Sequence, residues 1–403
     1  MLNTPFSPWP SFSEEEALAV ADVMRSNRVN YWTGQECREF EKEFAEFAGT
    51  DHAIAVANGT LALDLALKGY EIGAGDEVIV TPRTFIASIS CVVTAGAVPV
   101  FADVDLDSGN LSAATIEPHI TEKTKAIIVV HLAGWPADMD PIMELAEARG
   151  IKVIEDCAQA HGARYKGKPV GGLGHVGAWS FCQDKIMTTG GEGGMVTIND
   201  PDVWAKMWAY KDHGKSFDAV YNRQHPPGFR WLHESFGTNW RMLEMQAVIG
   251  RIQLKRMADW TKARTANATR IQEALRSAGG EAVRLPAIRC EGCTGCSGAA
   301  ACVHANYKYY AYLRLDALKP DWTRDRIVEE IVAKGVPCFQ GSCSEVYLEK
   351  AFDGTGTRPA QSLPNTRMLG ETSIMFLVHP TLSEAEIAQT QEAITSVLAE
   401  AVA

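Results

Sequence analysis

Positive charge is in short supply in this chain. Its 403 residues carry 38 Lys and Arg against 50 Asp and Glu, a formal net charge of −12. A basic face for nucleic acid is therefore not expected, and neither is adhesion to anionic lipid. Long apolar runs are missing too: no stretch approaches the roughly 20 residues that cross a bilayer. Met1-Leu2-Asn3-Thr4-Pro5 has neither the basic nor the apolar region of a secretory leader, so a cytoplasmic location is expected. There is no internal repeat and no low-complexity tract. Six of the ten cysteines, Cys37, Cys91, Cys157, Cys182, Cys338 and Cys343, are scattered and read as free thiols in a reducing compartment.

What is present is a strand–helix rhythm on a chain long enough for two packed domains. Ser13 and Glu16 make a capping-box pair ahead of a first helix, and Arg38 to Phe44 reads as a second, amphipathic one. Strands are expected at Ala53 to Ala57, Glu77 to Thr81, Val98 to Ala102, Ala126 to His131 and Lys152 to Asp156. Helices are expected between them, at Leu61 to Lys68, Phe85 to Ala95, Ala113 to His119 and Pro141 to Arg149. Short apolar strands alternating with helices argue for a mostly parallel sheet covered on both faces. Gly177 to Phe181 and Met195 to Ile198 are expected to return through the same sheet as a hairpin. Asp202 to His213 and a long stretch from Met242 to about Ser277 read as helices. The tail has strands at Tyr307 to Leu315 and Val336 to Phe339, with helices at Arg324 to Lys334 and Ser383 to Ala399. The expected division is a large α/β domain over residues 1–245 and a smaller α+β domain over 246–403.

Candidate chemistry collects at strand ends, the edge where open α/β sheets bind ligands. Ser180-Phe181-Cys182-Gln183-Asp184-Lys185 leads from a strand into a turn ending in Gly190-Gly191-Glu192-Gly193-Gly194. Lys185 is read as a Schiff-base lysine, whose amine attacks a carbonyl carbon when neutral, against the simpler reading of a solvated surface lysine. Asn58-Gly59-Thr60 is either a phosphate cradle at a helix N-terminus or an ordinary N-cap turn. Asp156, with Gln159 three residues on, is either the partner of a protonated pyridine nitrogen or a capping carboxylate. Phe85 either stacks on a flat cofactor or fills a helix core. The Ser180 hydroxyl either completes the cradle or is a strand serine without a ligand. Together these are the groups that pyridoxal phosphate requires.

From Phe40-Glu41 through Asn58-Gly59-Thr60, Glu155-Asp156-Cys157-Ala158-Gln159-Ala160-His161-Gly162 and Ser180 to Gly194, to Gly237-Thr238-Asn239-Trp240-Arg241-Met242, the chain resembles the DegT/DnrJ/EryC1/StrS family of pyridoxal phosphate-dependent sugar aminotransferases, of aspartate-aminotransferase fold type I. The resemblance implies that Lys185 carries the cofactor and shuttles protons, and that Asp156 pairs with the ring nitrogen. It implies that Gln159 contacts the ring hydroxyl side, that Phe85 stacks, and that Gly59, Thr60 and Ser180 hold the phosphate. Asn239 matches a position that reaches the phosphate of the neighbouring subunit, which implies a homodimer with shared active sites. The implied donor is glutamate and the implied acceptor a keto sugar, usually nucleotide-linked. Tyr31-Trp32-Thr33-Gly34 and Trp231-Leu232-His233 are candidates for the acceptor side, and Trp32 reads equally well as a partly buried aromatic. Relatives often have histidine where this chain has Cys182. A sibling branch of the family removes a sugar hydroxyl and has histidine at the lysine position, so Lys185 favours amino transfer. A non-catalytic protein of the same fold would not need Lys185, Asp156 and Gln159 together.

Cys290, Cys293, Cys296 and Cys302 form a compact set with His304 nearby. The spacing suits zinc or an iron–sulfur cluster, and the alternative is a glycine-rich loop of free thiols.

Overall fold

The computed structural model describes residues 5–225, 230–287 and 301–403. Two helices come first, α1 (Glu14–Arg25) and α2 (Glu36–Ala48). The alternation follows as β1 (His52–Val56), α3 (Gly59–Gly69), β2 (Glu77–Val80), α4 (Ala87–Thr94), β3 (Val98–Phe101), α5 (Ala113–Ile116), β4 (Thr124–Val130), α6 (Met139–Glu147) and β5 (Lys152–Asp156). A short ribbon, β6 (Arg164–Tyr165) and β7 (Lys168–Pro169), precedes β8 (Val176–Ser180) and β9 (Gly194–Ile198). Helices α7 (Pro201–Tyr210), α8 (Phe217–Tyr221) and the long α9 (Glu244–Gly279) come next. The chain closes with β10 (Val283–Arg284), β11 (Tyr309–Leu313), α10 (Arg324–Ala333), β12 (Cys338–Phe339), α11 (Pro364–Thr372), β13 (Ser373–Phe376) and α12 (Glu384–Ala401).

The main sheet runs β1-β9-β8-β5-β4-β2-β3. Strand β9 is antiparallel to β1 and β8, and every other pair is parallel. The C-terminal ends of β1, β2, β4, β5 and β8 therefore share one edge. Strands β8 and β9 are buried at every residue, as a sheet covered on both faces requires. A second, four-stranded antiparallel sheet runs β10-β11-β13-β12. It shares a core with α9, α10 and α12 through Ile271, Leu275, Ile327, Phe376, Ile394 and Leu398. The first half of α9 packs elsewhere, placing Ala247 and Met257 in the core of the large sheet. The boundary expected at 245/246 falls at the start of this shared helix. Among the described residues no helix is long and apolar enough to cross a membrane.

Several element limits differ from expectation for local reasons. The helix expected from Phe85 starts at Ala87, leaving Phe85 in the preceding turn. The Ala113 to His119 helix breaks into α5 and a 3-10 turn at Glu117–His119, where Pro118 has no amide to donate. Strand β12 begins only after Pro337, whose missing amide cannot join the ladder.

The Ser13 capping box forms as read: Glu16 N donates to Ser13 Oγ at 3.4 Å and Ser13 N donates to Glu16 Oε2 at 2.7 Å. Buried Glu16 also accepts from Gln253 Nε2 at 2.7 Å and Arg256 Nη1 at 3.1 Å, tying α1 to α9. Burial alone would raise the Glu16 pKa, but the hydrogen bonds from Ser13 and Gln253 and the charge of Arg256 outweigh it and hold the carboxyl below its ordinary value. Ser13→Ala is expected to lower stability by about 1 kcal/mol, read as a shift in the denaturant midpoint at unchanged slope.

Candidate active site

The end of β1 turns directly into α3. Asn58 is its N-cap, with Oδ1 accepting from Leu61 N at 3.0 Å. The amides of Gly59 and Thr60 lie before the first intrahelical bond, so they and the helix dipole favour an anion. The Ser180 side chain, at the end of β8, closes the same space. A Cβ on Gly59 would stand 2.5 Å from Ser180 Cβ, so only glycine lets the helix start here. Thr60 is exposed and adds its hydroxyl. The N-cap and phosphate-cradle readings are thus compatible at one turn: Asn58 caps, while Gly59, Thr60 and Ser180 face the space beyond it.

Strand alternation separates the two acids that end β5. Glu155 is fully buried and accepts from the amides of Gly171, Leu173 and Gly174 at 2.8, 2.8 and 2.7 Å. It also meets His131 Nε2 at 2.9 Å. His131, Glu155 and Cys157 are close enough to suggest a metal, but this carboxylate is already saturated by backbone donors, so the group is structural. Asp156 points to the site face. Its Oδ2 accepts from Ser88 Oγ of α4 at 2.7 Å, and Oδ1 accepts from Ala158 N at 3.1 Å. Gln159 Oε1 accepts from Ala133 N at 2.7 Å, which fixes the carboxamide and leaves its NH2 to donate. His161 is buried, with both ring nitrogens lacking a hydrogen-bond partner among the described residues. Burial, then the charges of Lys185 and Arg264, push it down to about 3, so it packs as a neutral ring against Trp179 and Phe181.

Lys185 lies in the turn after β8 with its side chain 15% exposed, not on the open surface. Its amide donates to Cys182 O at 3.0 Å, and its carbonyl accepts from Trp9 Nε1 at 2.8 Å. The ammonium is 4.0 Å from Asp184 Oδ1 and 5.2 Å from the centroid of the Tyr307 ring. The Tyr307 hydroxyl donates to Asp184. Trp9, Asp184 and Tyr307 were not singled out in the sequence. Asp184 is adjacent to Lys185 and was findable; Trp9 and Tyr307 reach the site only through the fold.

Phe85 is 68% exposed at the end of β2, which removes the helix-core reading. Asn239 is exposed on a segment whose neighbour, Trp240, accepts from Ala57 N at 2.9 Å, so it runs beside the end of β1. Cys182 is half-buried; burial, then the carboxylates of Glu192 and Asp184, push its thiol up. Of the cysteine set, Cys290, Cys293 and Cys296 lie outside the described residues, and Cys302 Sγ accepts from Lys166 N at 3.2 Å. Trp32 is half-buried against Trp208 and Tyr31. Trp231 is largely exposed.

An anion cradle shut to any Cβ, a buried carboxylate held by two donors, an oriented carboxamide and a lysine together fit pyridoxal phosphate. A sheet edge of this topology carrying that set defines an enzyme of the pyridoxal phosphate-dependent aminotransferase class. A family model, the DegT/DnrJ/EryC1/StrS aminotransferase family, matches residues 10–395, and the chain belongs to that family. It is 64% identical to an aminotransferase from Psychrobacter cryohalolentis whose crystal structure superposes with a TM-score of 0.94, covering 98% of this chain and 99% of that one. It is 41% identical over 68% of each chain to dTDP-3-amino-3,4,6-trideoxy-alpha-D-glucose transaminase of Streptomyces venezuelae. It is 48% identical to GDP-perosamine synthase of Caulobacter vibrioides, a match spanning 56% of this chain and 58% of that relative's length.

Proposed function

We propose that this protein moves an amino group from L-glutamate to a keto sugar carried on a nucleotide. The observation that carries the reading is Lys185 at the end of β8, on the same sheet edge as the Gly59–Thr60–Ser180 cradle and Asp156. The relatives named for a GDP-linked and a dTDP-linked sugar support a nucleotide on the acceptor.

Gly59, Thr60 and Ser180 would hold the phosphate. Asp156 would pair with the protonated ring nitrogen, and Gln159 would donate its NH2 to the ring hydroxyl. Phe85 would cover one face of the ring. When bound, pyridoxal phosphate supplies an electron sink for the carbanion formed on the substrate. Lys185 Nζ would hold the cofactor's carbonyl carbon and, once freed from it, would serve as the base and acid that moves a proton to and from the substrate carbon. In the second half-reaction the proton moves in the opposite sense, onto the substrate carbon. Release of the aminated sugar requires an amine to take back the carbonyl carbon. Lysine can do this and histidine cannot, which favours amino transfer over loss of a hydroxyl.

The working unit is a homodimer in the cytoplasm, with Asn239 reaching the phosphate of the neighbouring site. Exposed Trp231, Phe236 and Leu243 flank Asn239 on the same segment and support a covered face there. A coupled assay with glutamate and a panel of nucleotide-linked keto sugars tests the function. Amination of at least one sugar, with release of 2-oxoglutarate, is expected. Dehydration of one sugar with amination of none would overturn the reading. Analysis of the same preparation for zinc, iron and sulfide decides whether Cys290, Cys293, Cys296 and Cys302 hold a metal.

A further inference from the structure

Three cations converge on Tyr307, and one carboxylate answers them. Lys308 Nζ lies 5.0 Å from the Tyr307 ring centroid, nearly the distance at which Lys185 Nζ stands from the same ring. Arg264, rooted in α9, donates from Nη1 to the carbonyl oxygens of Asn306 and Tyr307, each at 3.3 Å. The carboxylate is Asp184, already engaged by the Tyr307 hydroxyl. Arg264 is fully buried, yet its Nε and Nη2 have no hydrogen-bond partner among the described residues. Neither Arg264 nor Lys308 forms an ion pair among the described residues.

The neighbouring histidines do not offset this charge. His161 and His379 are each pushed down to about 3 by burial and then by adjacent cations, so both are neutral. Burial, then Arg264 and Lys185, push Lys308 down to about 8, with Asp184 opposing. In a site of low dielectric such a surplus favours entry of an anion.

We propose that Lys308 docks a carboxylate of the amino donor, with Arg264 as the positioning residue behind it. The inference rests on the aminotransferase reading and adds the donor's subsite to it. Two anions reach such an enzyme, the donor's carboxylates and the acceptor's diphosphate. Distance favours the donor. An amino acid's α-carboxylate is one bond from the carbon that bears the reacting amine, and Lys185 Nζ and Lys308 Nζ lie 5.2 and 5.0 Å from the centroid of one ring. A sugar diphosphate is separated from the reacting carbonyl carbon by the sugar ring. Lysine meets a carboxylate as a compact point charge, and an ion-paired hydrogen bond to it is stronger than a neutral one. Arg264 holds the two carbonyls that lead into Lys308, so it sets where that side chain starts and adds its charge from behind.

The test compares wild type, Lys308→Met and Lys308→Arg as cofactor-loaded protein. Glutarate, a dicarboxylate without an amine, is titrated by calorimetry, and uridine diphosphate is titrated separately. Lys308→Met is expected to weaken glutarate roughly 10- to 100-fold, the loss of one charged hydrogen bond, while the uridine diphosphate affinity holds. The half-saturating glutamate concentration of the donor half-reaction is expected to rise by the same factor with its limiting rate retained, and Lys308→Arg is expected to recover most of the loss. Unchanged glutarate affinity in Lys308→Met, a loss that falls on uridine diphosphate instead, or an equal fall in both half-reactions would overturn the proposal. The two possible failures separate. A wild type that accepts amino groups from no amino acid sinks the aminotransferase reading. A wild type that accepts them, with glutarate binding insensitive to Lys308→Met, sinks the docking site alone.

Discussion

Lys185→Ala is expected to remove the near-visible absorbance of the purified, cofactor-loaded protein and to lower amino transfer on the order of 10⁴-fold. Two proposed functions of Lys185 would end together in this variant: the covalent hold on the cofactor's carbonyl carbon, and the base that moves a proton to and from the substrate carbon. The fold should survive. The Lys185 side chain makes one loose ion pair, 4.0 Å from Asp184, and Asp184 keeps the Tyr307 hydroxyl when the lysine is gone. The thermal midpoint should therefore change little, since a partly exposed pair at that separation contributes at most about 1 kcal/mol. Added small primary amines should restore part of the proton-transfer rate, because the truncated side chain leaves room beside Tyr307. Retention of the absorbance band in Lys185→Ala would sink the assignment, and so would a collapse of the fold that explained the lost activity.

The parts of this site that could be read from the sequence are those where a few consecutive residues carry the geometry. Asn58-Gly59-Thr60 encodes a strand end, a close approach and a helix start in three positions, and the structure adds that the approach is to Ser180. Strand β5 was placed at its observed limits, and alternation along it decides which acid faces the site: Asp156 does, and Glu155 anchors the turn around Gly171. The unread parts depend on long-range contacts. Tyr307 meets Asp184 across 123 positions and Trp9 meets Lys185 across 176, and neither lies in a local pattern that names its partner. The same holds for Arg264, one of five arginines in a 36-residue helix. Strands β6, β7 and β10 are absent from the sequence reading because each runs for two residues, too short for periodicity to register, and α8, α11 and β13 are absent from it as well.

Asp156→Asn is expected to lower the limiting rate of both half-reactions by about 10²- to 10³-fold. The substitution is nearly isosteric. An asparagine carbonyl oxygen can still accept from Ser88 Oγ, so the side chain keeps its place between β5 and α4. What disappears is the negative charge. A neutral amide holds a ring-nitrogen proton far less well than a carboxylate does, and without that proton the ring withdraws electrons from the substrate carbanion less effectively. Because both half-reactions pass through such a carbanion, their limiting rates should fall together. The half-saturating glutamate concentration should change much less, since Asp156 is not assigned to the donor's carboxylate. The phosphate contacts proposed for Gly59, Thr60 and Ser180 belong to other strand ends, so cofactor is expected to remain bound through them. This pattern is the reverse of the one expected for Lys308→Met, where the donor's concentration dependence shifts and the limiting rate holds. Measuring both variants in the donor half-reaction therefore separates a group that supports the chemistry from one that supports binding. An Asp156→Asn protein with wild-type limiting rates would remove Asp156 from the reaction and leave it a capping carboxylate at the end of β5.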